Sequence, residues 1–372
     1  MITQHIVYRN SGRFAGWPAN YGMWNWGDEI VLVFTEGAFK ATLHGHARDK
    51  SQPFTTLQAR SLDGGITWEV SEFPGESYGR PISADEHVNA DLTLEKYLEN
   101  HPEALLPPPG GIDFTDPDFA MMCGRTGLDA GTVSFFYYST DRCQSWQGPL
   151  ALPMFGQTAI AARTSYQVES AEECLLFLTA NKSNGNEGRV FCTRTSDGGK
   201  TFDFVSFIGE EPPGNAFAIM PSHLYLGNGH YLCAVRYKNK NNPLQRSSAW
   251  IDLYESTDAG TSWQYLTRPV TFQQPGNSNP PSLVQLPNGN IALVYGNRDN
   301  PCTVCAVVSR DKGKTWEEPV VLRKTGGSGD MGYTRAVELG DGTIVTAYYL
   351  NEDNAGERFI EVTRWNPLHR LQ

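Results

Sequence analysis

Tyr333 and Arg335 open one apolar run, "GYTRA", and Arg163 opens another, "AARTS". Arg236 and Arg298 close two more, "LCAVRY" and "VYGNRD". Trp17 stands in "GWPAN", Asp116 and Asp118 in "TDPDF", and His44, His46 and Asp49 in the polar stretch "HGHARDKSQP". Guanidinium forks hold a carboxylate through paired N–H donors. A tyrosine hydroxyl has a pKa near 10 and becomes a nucleophile only where a base or a cation lowers it. A carboxylic acid or an imidazole can pass a proton to or from a reacting group. Taken singly, each residue has a commoner use: a surface ion pair for an arginine, a turn for the aspartates, packing for the tyrosine, a solvated loop for the histidines. Brought to one mouth, four arginines, a tyrosine and two aspartates would make a cationic cup for an acidic ligand.

The elements that must bring them there are repeated. The pattern Ser/Thr, any, Asp, any, Gly, any, Thr/Ser, aromatic begins at residues 61, 139, 195, 256 and 309. The copy at 139 has Cys143 in place of glycine, and the copy at 195 ends on Phe202 instead of tryptophan. An aspartate can accept N–H bonds across a tight turn, and glycine takes the left-handed position. "LGNGHYLCAVRY", "LPNGNIALVYGNR" and "LGDGTIVTAYYL" each place Asn-Gly or Asp-Gly between alternating apolar runs, which signals a hairpin. Strand, tight hairpin, strand and a further hairpin, repeated at this spacing, predict an all-β, six-bladed β-propeller over residues 1–372. "GWPAN", "TDPDF", "AARTS", "IMPSH", "NPPSL" and "GYTRA" are read as the six blade openings. Either "RFIEVTRW" or the N-terminal "QHIVYRN" completes the sixth blade. An insertion at about 71–115 lengthens the first repeat, and Leu94, Tyr97 and Leu98 in it have helical spacing.

Composition narrows the function classes. The net charge is −11 and no run of Lys or Arg stands out, so a nucleic acid partner is not expected. The same charge repels anions at long range, so an acidic ligand needs local cations. No apolar run of membrane-spanning length occurs. The start "MITQHIVYRNSGR" has no apolar core of a signal peptide. Cys302 and Cys305 lie in a predicted strand and point to opposite faces, which is wrong for a metal knuckle. The seven cysteines are expected to be buried thiols of a reducing compartment such as the cytoplasm. No metal or cofactor motif is present.

The five Asp motifs on a six-blade pattern resemble the sialidase (neuraminidase) superfamily of Asp-box, or BNR-repeat, propellers, and the resemblance covers nearly the whole chain. "GRFAGWPANYGMWNWGDEIVLVF" followed by "ARSLDGG" is similar to a bacterial sialidase-like branch. That resemblance implies a glycosidase with Tyr333 as nucleophile and Asp49 as acid/base. It places Arg236 and Arg298 on the carboxylate of the sugar and Asp116 in the pocket. Gly16, Trp17 and Pro18 replace the Arg-Ile-Pro of the family's first blade, and Pro221 falls where its glutamate partner of the tyrosine belongs.

Three functions compete on these residues. The first is an exo-acting hydrolase of an acidic or modified sugar, using Asp49 and Tyr333. The second is a lyase on uronate-containing glycans, with His44, His46 and Tyr333 handling the proton and arginine neutralising the carboxylate. The third is a non-catalytic glycan-binding propeller that stacks sugars on Trp17, Trp24 and Trp26. All three expect a glycan or small sugar as ligand.

Overall fold

Each Asp motif closes as a local turn. In the first, Asp63 Oδ1 accepts the N–H groups of Ile66 (3.0 Å) and Thr67 (2.9 Å), and Oδ2 accepts the Thr67 hydroxyl (2.6 Å). Ser61 Oγ accepts the N–H of Gly65 (2.8 Å), whose φ of +87° favours glycine. Trp68 Nε1 then donates to Gly65 O (3.2 Å) and turns the chain into the next strand. In the copy at 139, Cys143 takes the left-handed position itself, with φ +63°, and still donates to Ser139 Oγ (2.9 Å).

The structure is a computed structural model that describes residues 2–42, 45–82, 88–240, 248–274, 277–325, 327–353 and 356–367. Its strands form six antiparallel sheets, the blades of a propeller. Blade one contains Arg13–Gly16, Gly22–Trp26, Glu29–Ala38, Phe54–Ser61 and Glu69–Glu72. Among the described residues blade two has three strands, Ala120–Arg125, Ser134–Ser139 and Gln147–Ala151. Blade three runs from Tyr166–Val168 to Asp203–Phe207, blade four from Phe217–Gly227 to Gln264–Phe272, and blade five from Ser282–Gln285 to Val320–Lys324. Blade six uses both segments that the sequence offered. Phe359–Trp365 is its third strand, and Thr3–Tyr8 pairs antiparallel with it as the fourth. The two ends of the chain thereby close the ring in one sheet.

A blade has two apolar faces and covers them only with its neighbours. Phe14 and Leu32 of blade one meet Val345 and Ile360 of blade six, while Met121 and Phe136 of blade two meet Leu176 and Phe191 of blade three. Comparable clusters join the other four neighbouring pairs. Cys302 and Cys305 fall in different clusters, on opposite faces of blade five, and all seven cysteines are free and buried. The insertion forms a helix, Leu94–Asn100, capped by Thr93, whose side chain accepts from Lys96 N (3.1 Å). Leu94 and Leu98 pack beneath blade two with Phe135 and Trp146.

Blade two departs from the expected plan. Elsewhere the Asp motif links the third and fourth strands of a blade, as residues 195–202 link Glu187–Thr195 to Asp203–Phe207. In blade two it links Ser134–Ser139 to Gln147–Ala151, so Ala120–Arg125 stands in second position. "TDPDF" is therefore not an inner-strand opening. It is the turn that enters the second strand, at the Asp-motif end of the propeller.

Candidate active site

Tyr333 is set by its backbone. Gly332 has φ +107°, and a Cβ there would lie 2.1 Å from Asn279 Oδ1, so only glycine fits. Tyr333 itself has φ +55°, an uncommon region for a bulky residue, and its N–H is held by Asn279 Oδ1 (3.0 Å). The pairing of Gly332–Glu338 with Ile344–Leu350 slips between Gly332 and Arg335. This bulge swings the ring out of the ladder and toward the mouth.

Two arginines meet the ring there. The Arg236 guanidinium carbon is 5.8 Å from its centre and that of Arg298 is 5.9 Å. Arg236 is buried and its Nε donates to Ser278 Oγ (2.7 Å). Arg298 is anchored through Nε (3.1 Å) and Nη2 (3.0 Å) to Met331 O. Burial pushes the Tyr333 phenol up. The charges of Arg236 and Arg298, a hydrogen bond from Arg236 and the charge of Arg163 outweigh it and hold the phenol below its ordinary value.

On the other side of the ring stands His46, with ring centres 6.1 Å apart. Its Nδ1 lies 2.7 Å from Asp330 Oδ1. The same oxygen accepts from the Tyr349 hydroxyl (2.8 Å), and Asp330 Oδ2 accepts from Ala47 N (2.8 Å) and Arg358 Nε (2.9 Å). Asp330 and Arg358 are a buried ion pair. Burial raises the Asp330 carboxyl, but the hydrogen bond with His46, the Ala47 N–H and the Arg358 charge together hold it well below the carboxylate range. Burial lowers His46 more than Asp330 raises it, and Arg298 and Arg48 push the same way, so the imidazole is neutral at pH 7. His46 Nδ1 faces Asp330 and also Tyr349 Oη (3.1 Å) and Trp17 Nε1 (3.4 Å), and Nε2 is left without a hydrogen-bond partner among the described residues. Trp17 packs edge-on against His46, ring centres 5.0 Å apart.

The remaining candidates separate into those near this centre and those away from it. Arg163 is buried at the mouth, where it donates to Asn20 Oδ1 (3.3 Å), Ala161 O (3.3 Å) and Glu187 Oε1 (2.7 Å). Trp17 is 4% exposed, with the Arg48 guanidinium 4.8 Å from the ring centre, so it is no open stacking platform. Trp24 is likewise core, packed on Trp146 at 5.3 Å. Asp49 is turned to its own loop. Its Oδ1 accepts from Ser51 Oγ (2.7 Å) and Ser51 N (3.0 Å), and Lys40 Nζ lies 3.7 Å away. The two Ser51 bonds, with Lys40, hold its carboxyl below its ordinary value, the wrong direction for a proton donor. His44 lies outside the described residues.

Three expectations are corrected. Asp116 and Asp118 do not reach the mouth. Asp116 Oδ1 accepts from Asp118 N (2.8 Å), and Asp118 Oδ1 accepts from Arg142 Nε (2.5 Å), a residue of the Asp motif at 139. A six-residue strand, about 20 Å long, separates them from the mouth. Arg335 does not share the Tyr333 face, because the bulge breaks the two-residue alternation between them. It lies behind the mouth, where its Nη2 donates to Ala19 O (2.9 Å) and Thr164 O. There it lines a separate axial cavity of about 350 Å³ with Ser165, His223 and Ser282.

The sequence reading missed Asn279, Asp330, Tyr349, Arg358 and Arg125. Arg125 ends the second strand of blade two, close to where Arg236 and Arg298 stand in blades four and five, and is buried beside blade three, with Nη1 3.4 Å from Ala162 O. That position was open to the same rule once the strand order was known. Among the described residues no group of His, Cys, Asp and Glu is arranged to hold a metal ion.

The geometry is thus a mouth on a six-bladed propeller in which Arg236, Arg298 and His46 surround the Tyr333 ring. Residues 119–346 match the family described as BNR repeat-like domain. This is more than half of the chain, and the chain belongs to that family. Among solved structures it is similar to a protein of unknown function from Dyadobacter fermentans DSM 18053, with TM-score 0.68, 19% identity and 98% of each chain covered. It is also similar to the GH93 α-L-arabinofuranosidase of Fusarium graminearum in complex with arabinobiose, with TM-score 0.62, 14% identity and coverage of 97% of this chain and 99% of that one. A third is the Hadza microbial sialidase Hz136, with TM-score 0.60, 12% identity and coverage of 96% and 66%. At these identities the likeness is one of fold. No curated protein matches the chain significantly. No helix among the described residues is long and apolar enough to cross a membrane.

Proposed function

We propose that this protein is a glycoside hydrolase that removes an anionic sugar from a glycan, with Tyr333 as nucleophile. The observation that carries this reading is the phenol held below its ordinary pKa by the cations around it. Arg236, Arg298 and Arg163 bind the acidic group of the sugar. His46, neutral and oriented by Asp330, takes the Tyr333 proton on Nε2. The phenolate oxygen attacks the anomeric carbon as the glycosidic C–O bond breaks, and the imidazolium returns the proton to the leaving oxygen. Water then cleaves the tyrosyl-linked sugar and restores the phenol. The His46–Asp330 pair stands in for the glutamate that Pro221 displaces. Solved propellers of this fold that carry the names arabinofuranosidase, arabinanase and sialidase support a sugar as the ligand.

A second reading rests on the neutral state of His46. A base of that kind, beside arginines that neutralise a carboxylate, can take the proton next to the carboxylate of a uronate. Tyr333 then protonates the departing oxygen, and the product is an unsaturated sugar. One experiment separates the two. Acidic glycans are incubated with the protein and assayed for new reducing ends and for the ultraviolet absorbance of an unsaturated uronate. Reducing ends without absorbance support the hydrolase, both signals together support the lyase, and neither signal with any acidic glycan refutes both.

A further inference from the structure

Behind the mouth the blade openings meet a second time. Four of them read Arg163-Thr164-Ser165, Met220-Pro221-Ser222, Pro280-Pro281-Ser282 and Tyr333-Thr334-Arg335. The third residue of each lines the axial cavity of about 350 Å³. Met220 (φ +56°) and Tyr333 (φ +55°) are both left-handed, and the ladder slips across each, between Ile219 and Ser222 and between Gly332 and Arg335. The bulge that puts Tyr333 in the mouth thus also turns Arg335 toward the axis.

Arg335 enters this cavity as a cation without an anion. Its Nη2 donates to the carbonyl oxygens of Ala19 (2.9 Å) and Thr164, its Nε is buried with no partner, and no carboxylate pairs with it among the described residues. Arg163 and Arg358, by contrast, have Glu187 and Asp330. No Asp or Glu stands among the residues that line the cavity. Burial brings the guanidinium down to about 10. A charge enclosed in this way is costly unless an anion meets it.

The rest of the lining offers donors. Ser165 Oγ and His223 Nδ1 share one hydrogen bond (2.9 Å), and His223, held down to about 3, is neutral. The pair carries two protons between a hydroxyl and an imidazole, so either the serine O–H or the imidazole Nε2–H is left over, whichever group donates. Ser222 Oγ accepts from Leu283 N (2.9 Å) and keeps its own proton to donate. Ser282 Oγ makes no hydrogen bond among the described residues and faces the same space.

We infer that the axial cavity is a second ligand site, for a small carboxylate: one negative charge answers the single guanidinium, and Ser222, Ser282 and the Ser165–His223 pair supply donors to the carboxylate oxygens. The volume is at the low end of small-molecule sites, which run from about 300 to 1,000 Å³; it exceeds what a bare ion fills and excludes a glycan chain. None of Tyr333, Arg236, Arg298 and His46 lines it, so the site is distinct from the mouth and stands whether or not the mouth is catalytic.

The test is thermal unfolding during titration with acetate, lactate or glucuronate, each against sodium chloride at equal ionic strength. Wild type, Arg298→Met, Arg335→Met and Ser282→Ala are compared. At 100 times its Kd a carboxylate raises Tm by about 3–4 °C, given about 2.1 cal/mol/K of unfolding entropy per residue over 372 residues. Arg298→Met, altered in the mouth, is expected to keep the rise for at least one carboxylate, and Arg335→Met to lose it. Ser282→Ala is expected to need about 3–10-fold more ligand for the same rise, and it answers independently should Arg335→Met not fold. No rise with any of the three carboxylates overturns the inference. So does a rise that Arg335→Met keeps, that Arg298→Met loses, or that inorganic phosphate matches. No turnover enters the measurement, so failure of the hydrolase reading leaves its outcome unchanged.

Discussion

Asp330→Asn tests the link between fold and chemistry most directly. The carboxylate is buried and takes four donors: His46 Nδ1, Tyr349 Oη, Ala47 N and Arg358 Nε. The amide keeps the shape but removes the charge. Arg358, 2% exposed, is then a buried cation without its partner. Breaking such a pair costs about 3–5 kcal/mol. With about 2.1 cal/mol/K of unfolding entropy per residue over 372 residues, that lowers Tm by about 4–6 °C. Thermal unfolding at pH 7 reads the shift. Asp330→Asn with Arg358→Gln should recover part of it, because both charges are then gone. The sign with pH follows from the depressed carboxyl. Its stabilisation is complete above the unfolded value near 3.9 and is lost as pH falls below it, so the deficit of the variant shrinks in acid. Turnover should fall by on the order of 10²–10⁴-fold, as His46 loses its tautomer and orientation. An unchanged Tm would refute the buried-pair argument. A lowered Tm with unchanged turnover and pH profile would refute the role of His46.

Four further outcomes are expected. Tyr333→Phe loses at least about 10²-fold in turnover while thermal unfolding stays close to wild type; full activity removes Tyr333 from the chemistry. Arg298→Met raises KM for acidic substrates by about 10–100-fold, the value of a charged hydrogen bond, and leaves a neutral analogue unaffected. Asp118→Ala leaves kcat/KM unchanged, since its carboxylate serves Arg142 at the Asp-motif end; a large loss there would contradict the strand order of blade two. Burial, with the Arg335 charge, holds His223 down to about 3, so the unfolded chain takes up a proton below about 6.5 that the folded one refuses. The wild type therefore loses stability as pH falls from about 6.5 toward 3, and His223→Gln loses less over that window, as read by Tm against pH.

The blade plan was legible in the sequence because it is built from local bonds. An Asp motif closes within eight residues, as Asp63 shows, and an Asn-Gly or Asp-Gly hairpin closes within fewer. Alternating apolar runs between such turns leave few architectures other than a propeller, and the family match over 119–346 agrees. Arg236 and Arg298 were legible for the same reason: each lies in the last part of, or directly after, a second strand whose hairpin is marked in the chain.

What the sequence did not carry depended on departures from regularity and on contacts distant in the chain. "TDPDF" reads like any strand opening, and only the pairing of blade two shows that it enters a second strand at the far end. Tyr333 and Arg335 are two residues apart, which in a regular strand puts them on one face. A bulge held by Asn279, 54 residues away, leaves Tyr333 in the mouth and sends Arg335 to the cavity behind it. Asp330 sits 284 residues from His46, in a Gly-rich approach that has no pattern of its own. Period and turn chemistry are properties of short segments and survive in one dimension. The acidified phenol and the oriented imidazole exist only once the ring closes and brings different blades to a common axis.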